Sequence, residues 1–369
     1  MPSVFVKTKT QDSIMAIPSR IRYSIIVPVF NRPDEVRELL ESLCRQTEKD
    51  FEVIIVEDGS AIECEDVCSS FMSQLDLRYY RKDNSGPGQS RNYGAERAAG
   101  LYLIILDSDV VLPEDYIASV SRSLEAEEVD AFGGPDSAHP DFTPTQKAIS
   151  YSMTAFFTTG GIRGGRRKLD KFFPRSFNMG VRFDVYHRLG GFSAMRFGED
   201  IDFSYRIVEA GYRTALFPDA WVWHKRRTDY RKFWRQVYNS GIARINLEKR
   251  HPGTLKMVHL LPMVFTVGVV LMCVTSFVGR MLMVYGPGPD PLHRWYWLCA
   301  GPLLPLLLYV LLVFADATVQ FRSASIGLRA VVAAFVQLMG YGCGFLYAWW
   351  QRCVLGKDEF HAFDKTFYK

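Results

Sequence analysis

The sequence predicts an α/β domain with a mostly parallel, doubly wound sheet, followed by an α-helical transmembrane region, and three observations carry that reading. Short apolar runs alternate with amphipathic stretches from Tyr23 onward, the composition turns membrane-like at Met257, and cations crowd just before that change. The chain divides accordingly into an N-terminal arm (1–20), the α/β domain (21–225), a basic amphipathic interfacial segment (226–256), about three membrane spans (257–350) and a C-terminal tail (351–369).

The first apolar run, Tyr23–Val29, reads as a strand, and the stretch after it places Val36, Leu39, Leu40 and Leu43 on one helical face. Phe51–Val56 is a second strand, Asp66–Met72 a helical stretch and Leu77–Tyr80 a third strand. A Gly-rich turn leads to a helix over Gln89–Ala99 and then to the strand Leu101–Leu106. This βαβαβ alternation demands parallel strands, and in such sheets ligands bind where the strands end. The polar residues just past each strand are therefore the candidates for chemistry.

Met257–Gly279, Trp295–Ala315 and Leu328–Trp350 are each long enough to cross a bilayer core as helices. Pro262, Pro302 and Pro305 are tolerable there, and Trp295, Tyr296, Trp297, Trp349 and Trp350 sit where interfacial aromatics belong. With the basic block inside, three spans put the tail outside, and Arg322 and Arg329 flank a second inside loop. Before the spans, Tyr230, Phe233, Trp234, Val237 and Tyr238 recur at helical spacing between Arg231, Lys232 and Arg235. That stripe either lies on anionic headgroups or packs on the α/β domain.

The hydrophobic content of 48% is high for a soluble protein, and a formal charge of +4, concentrated in the basic block, points to a membrane surface and to no nucleic-acid partner. Cys44, Cys64, Cys68, Cys273, Cys299, Cys343 and Cys353 lack zinc-ribbon spacing and read as free thiols of a reducing compartment. The first twenty residues lack the apolar core of a signal peptide, so the α/β domain is expected in the cytosol.

Asp107-Ser108-Asp109 sets two carboxylates one residue apart just past a buried strand, where hard oxygen ligands suit Mg2+ or Mn2+. Taken alone, such a pair serves equally as turn or cap residues. Its setting is more specific: Pro28-Val29-Phe30-Asn31, Glu57-Asp58-Gly59-Ser60 and the run Asn84–Asn92 containing Arg91 precede it in order, each after a strand. Downstream lie Gly190-Gly191-Phe192 and the run Gly198-Glu199-Asp200-Ile201-Asp202, then His224.

From Tyr23 through at least His224 this ordered set resembles the family 2 glycosyltransferases of the GT-A fold. The resemblance implies that Pro28, Val29, Asn31, Glu57, Asp58 and Arg91 border the donor, with Asp58 near the base. It also implies that Asp107, Ser108 and Asp109 serve the metal and diphosphate. Asp200, with Glu199 beside it, matches the family's general base, which takes the acceptor hydroxyl's proton during an inverting displacement. The same acids at a helix start would also cap free N–H groups. His224 falls where some related enzymes place a third metal ligand, or it is structural. Thr159–Lys168, rich in Gly, Arg and Lys, is either a lid over phosphates or a plain loop.

Membrane polysaccharide synthases resembling this family carry Gln-x-x-Arg-Trp after the Glu-Asp motif; the corresponding Phe233–Gly241 departs from it, which favours single addition over processive synthesis. The expected activity is therefore metal-dependent transfer of a sugar from a nucleotide-diphosphate sugar, with uridine weakly favoured, to a lipid-linked or other membrane acceptor. Transfer onto polyprenyl phosphate is the sister reading. An inactive membrane scaffold is opposed by the intact acids, and a nucleotidyltransferase by the absence of a basic Gly-rich loop after the first strand. The expected location is an inner or plasma membrane, if the source is bacterial, with the catalytic domain cytosolic. The sequence is silent on oligomeric state.

Overall fold

The computed structural model describes residues 21–137, 142–159, 172–195, 197–225, 229–286 and 294–359. The N-terminal arm, residues 160–168 of the Gly/Arg stretch, Arg226, Arg227 and residues 360–369 lie outside the described residues.

Strand β1 (Tyr23–Val29) leads to helix α1 (Pro33–Cys44), which has proline at its start, Asp34 and Glu35 against its positive end, and Val36, Leu39, Leu40 and Leu43 buried. Strand β2 (Phe51–Asp58), helix α2 (Glu65–Phe71), strand β3 (Leu77–Lys82), helix α3 (Pro87–Ala95) and strand β4 (Tyr102–Leu106) complete the expected alternation. Both β2 and β3 run two residues beyond their apolar cores, with Glu57 in register with Arg81 and Asp58 with Lys82; Lys82 Nζ donates to Asp58, while Arg81 pairs with Glu63. The Asp58–Lys82 pair joins the two strand ends at a point that apolarity alone did not mark. Glu57 and Asp58 thus close the strand rather than follow it.

The chain continues through β5 (Val110–Val111), α4 (Tyr116–Ala126), β6 (Ala131–Gly133), β7 (Asp136–Ser137), α5 (Pro144–Thr154) and α6 (Phe156–Thr159). Then come β8 (Asn178–Arg182), α7 (Phe183–Arg188), α8 (Glu199–Glu209), β9 (Thr214–Leu216) and β10 (Val222–His224). The main sheet has the order β3-β2-β1-β4-β8-β6-β9. Its pairs are parallel except that β8 runs antiparallel to both β4 and β6, so the sheet is mixed but mostly parallel, as the alternation predicts. Cores lie on both faces: Val27, Leu39, Ile55 and Ile104 on one, Ile26, Ile105, Val181 and Phe203 on the other. A second sheet, β5-β10-β7, has strands too short to leave a periodic signature.

Helix α9 (Tyr230–Arg250) starts the C-terminal part, followed by α10 (Met257–Tyr285), α11 (Arg294–Ala300), α12 (Leu303–Phe321) and α13 (Ala324–Trp349). Met257–Tyr285, Arg294–Phe321 and Ala324–Val354 are long and apolar enough to cross a membrane, which marks the chain as membrane-associated. Of the two coverings open to the α9 stripe, the structure shows a protein one. Phe233 and Val237 are buried in a cluster with Ala148 and Ile149 of α5 and Ala330, Ala333 and Ala334 of α13. All seven cysteines are unpaired.

Candidate active site

The end of β4 and the small sheet assemble the acidic centre. Asp107 follows β4 directly, Ser108 and Asp109 are buried, and Val110–Val111 then pairs antiparallel with β10, setting His224 opposite Val110. That register carries the imidazole back to the acids: His224 Nε2 lies 3.2 Å from Asp109 Oδ1. The ring stacks on Phe177 with centroids 5.2 Å apart, and its buried Nδ1 has no hydrogen-bond partner although Asp136 is 3.9 Å away. Asp107, Asp109 and His224 present ligand atoms all within 4.8 Å of one another. Two carboxylates and an imidazole in that space suit Mn2+ or Mg2+, and an imidazole ligand favours the softer Mn2+.

Arginines hold these acids. Arg32 donates to Asp109 Oδ2 at 2.6 Å. Arg91, on α3, donates to Asp107 at 3.0 Å and to Glu199 at 2.9 Å, and its guanidinium lies 5.1 Å from the Phe192 ring centroid. Helix α8 starts at Gly198, whose φ of 86° admits glycine readily, and presents Glu199 and Asp200 from its first turn. Arg175 donates from Nε to Asp200 Oδ2 at 2.7 Å.

The adjacent carboxyls of α8 are pushed apart. Burial raises the Glu199 carboxyl and prevails over the opposing pull of Arg91. Burial acts the same way on Asp200, but the charge and hydrogen bond of Arg175, helped by Arg91, outweigh it and hold that carboxyl below its usual range. Asp200 is therefore held ionised near neutrality, the state a proton acceptor needs.

The other residues marked by the sequence tie neighbouring strand ends together. Asn31, in a left-handed conformation at φ 55°, accepts from Ala61 N at 2.8 Å and Ile62 N at 2.9 Å and donates its own N–H to Ser60 Oγ, tying the loops after β1 and β2 together. Asp58 accepts from Ser85 N at 2.9 Å, from Gly86 N at 2.8 Å and from Lys82 Nζ, fixing the Gly-rich turn that opens α3. Pro28 is half-buried at the end of β1. The side chains of Val29 and Glu57 are buried, the first in the core and the second fully, where it accepts from Ser60 Oγ and from Cys64 N at 2.9 Å. Both support the site from below because their side chains point into the sheet's packed face.

Arg32, Lys82, Asp136 and Arg175 belong to this cleft and were missing from the sequence reading. Arg32 had a signal, since it adjoins Asn31. Arg175 had none, as it lies in an aperiodic stretch 25 residues before Asp200, the acid it pairs with.

A mixed sheet of this order, with a carboxylate pair at the end of a central strand, defines a GT-A fold. The mannosyltransferase PcManGT from Pyrobaculum calidifontis, solved in complex with GDP-Man and Mn2+, shares it with a TM-score of 0.54 and 16% identity, over 90% of this chain and 88% of that one. At that identity the likeness is one of fold. Residues 24–190 match the glycosyl transferase family 2 profile. An uncharacterized glycosyltransferase of Rickettsia felis is 38% identical over 104 residues, 28% of this chain and 17% of that protein. One of Haemophilus influenzae is 45% identical over 103 residues, 28% of this chain and 34% of that protein. The matched segment thus spans less than two thirds of these relatives.

Proposed function

We propose that the protein is an inverting, metal-dependent glycosyltransferase that moves one sugar at a time from a nucleoside diphosphate sugar to a membrane-associated, lipid-linked acceptor at the cytosolic face. The observation that carries this reading is the convergence of Asp107, Asp109 and His224 to within 4.8 Å, in the same cleft as the Arg175–Asp200 pair. Asp107, Asp109 and His224 would hold Mn2+ or Mg2+, which when bound supplies positive charge against the diphosphate leaving group.

The chain's own residues supply the rest. The Asn31-tied loops and the Asp58-fixed turn flank the space for the nucleoside, and Arg32 and Arg91 are placed to exchange a carboxylate for a phosphate oxygen as the donor arrives. Asp200 takes the proton from the acceptor hydroxyl while that oxygen bonds to the anomeric carbon. The bond from that carbon to the diphosphate oxygen breaks, and its electron pair leaves with the nucleoside diphosphate. Attack opposite the leaving group inverts the anomeric centre. A panel of nucleotide-sugars tested for Mn2+-dependent binding would identify the donor; failure of every sugar nucleotide to bind with metal present would end this reading.

A polyprenyl phosphate acceptor is the second reading, favoured by Arg175. Its side chain is 40% exposed and could meet an anionic nucleophile that needs no base.

A further inference from the structure

Length and composition treat the three apolar helices alike, but their contacts do not. Helix α13 lies alongside α9 and runs in the same direction. Tyr230 OH donates to the Arg329 carbonyl at 3.0 Å, a Cβ on Gly340 would come 2.6 Å from Val237, Gly344 abuts the Tyr238 carbonyl, and Gly241 abuts Tyr341 and Phe345. Small residues on both helices allow this backbone approach. The match continues through Ile242 and Ile245, which pack with Phe345 and Ala348, and the 21 residues of α9 measure about 31 Å, the thickness of a hydrocarbon core.

Helix α9 cannot itself occupy that core. Arg231, Lys232 and Arg235 are exposed in its first turns and Lys249 and Arg250 at its end. Its last turns are also fastened to the soluble domain: Gly198 packs on Ala243 and Leu247, and His251 bridges Asp202 at 3.0 Å and Glu209 at 3.1 Å. Were α13 to cross the bilayer, α9 would cross with it and carry the exposed Arg231, Arg235 and Lys249 through lipid. Burial points the same way, since 44% of the apolar window of α13 is buried within the protein, against 11% for α10 and 6% for α11–α12.

Those other two segments behave as a lipid-facing hairpin. Gly279 abuts Leu298 and Cys299 near the far end, while the Phe265 and Tyr309 rings are 5.3 Å apart nearer the soluble domain, so α10 and α11–α12 are antiparallel. Asp316 in the returning helix accepts from Tyr151 OH of α5 at 2.5 Å, which puts that end level with the soluble domain. From Thr266 to Tyr285 the helix rises about 29 Å, one bilayer core.

We propose that only the α10–α12 hairpin crosses the membrane, that α9 and α13 lie together along the leaflet surface, and that the chain after α13 returns to the catalytic domain's side. Arg231, Lys232, Arg235 and Lys249 then meet anionic headgroups, and Leu328, Val332, Trp349 and Trp350 meet acyl chains. The active-site helix α8, fastened to α9, is thereby fixed at headgroup height. The proposal is independent of the reaction catalysed.

The test uses the full chain in sealed vesicles containing phosphatidylglycerol. A membrane-impermeant maleimide, with peptide mapping of the labelled cysteine, should reach the exposed Cys353 from the face that carries the catalytic domain and an Arg294→Cys variant from the other. A reporter fused to the C-terminus should report the catalytic side. Quencher-depth measurements on probes at Leu328, Val332 and Tyr347 should give one shallow depth. Labelling of Cys353 from the Arg294 face, or depths that pass through the bilayer centre, would overturn the two-span arrangement.

Discussion

Replacing Arg91 with methionine keeps the stem against Phe192 and removes both donors. Arg91 is 3% exposed and holds Asp107 and Glu199 at 3.0 and 2.9 Å. A hydrogen bond between charged groups contributes about 1.5–3 kcal/mol, so two contribute about 3–6. Asp107 is 32% exposed, so water recovers part of its loss, and the lower end, about 3 kcal/mol, is expected. At roughly 2–4 °C per kcal/mol for a domain of this size, Tm should fall by about 6–12 °C. Thermal unfolding in detergent with a chelator, followed by tryptophan fluorescence, measures this. The deficit should shrink on acidification, because Glu199, already raised by burial, then titrates higher still and its protonation removes the unpaired charge. Adding Glu199→Gln should restore about 1–2 kcal/mol, since the stranded carboxylate is then neutral. A Tm unchanged in Arg91→Met would refute the idea that this guanidinium holds the acids in place.

Asp200→Asn should keep nucleotide-sugar binding and lose transfer by at least about 10²-fold, measured as single-turnover product formation. Unchanged transfer would move the assignment to an acceptor that is already anionic. Arg175→Gln removes the largest influence opposing burial at Asp200, so the acid limb of kcat/KM should move to higher pH; an unmoved limb would separate Arg175 from the base. The matching stability sign is that Asp200, held low, stabilises the wild type above its unfolded pKa and loses this as pH falls through its folded value. Gly180→Ala puts a methyl into the Phe132 ring across β8 and β6 and should cost about 1–3 kcal/mol in denaturant unfolding; no loss would mean the strands part there easily.

The sequence made the left half of the sheet legible because each strand there is a short apolar run closed by a polar turn, as with Tyr23–Val29 before Asn31 and Tyr102–Leu106 before Asp107. The acids of the centre were readable for the same reason. The cations that neutralise them were not: Arg175 and Lys82 reach the cleft by tertiary folding, and no spacing links them to Asp200 or Asp58 in advance. His224 was marked but undecided, because only the pairing of β10 with β5 brings it to Asp109, and strands of two or three residues carry no period. The helix α13 shows a further limit. Its apolar composition is the same whether lipid or α9 covers it, and the Gly340 and Gly344 pair is the trace of a protein partner.

The central claim is that Asp107, Asp109 and His224 hold a metal that serves the donor diphosphate. Release of nucleoside diphosphate from the cognate sugar donor, measured in wild type and Asp109→Ala across a Mn2+ titration, tests it most directly. The account predicts metal-dependent release in the wild type and none above background in the variant. Full, metal-dependent release by Asp109→Ala would contradict it.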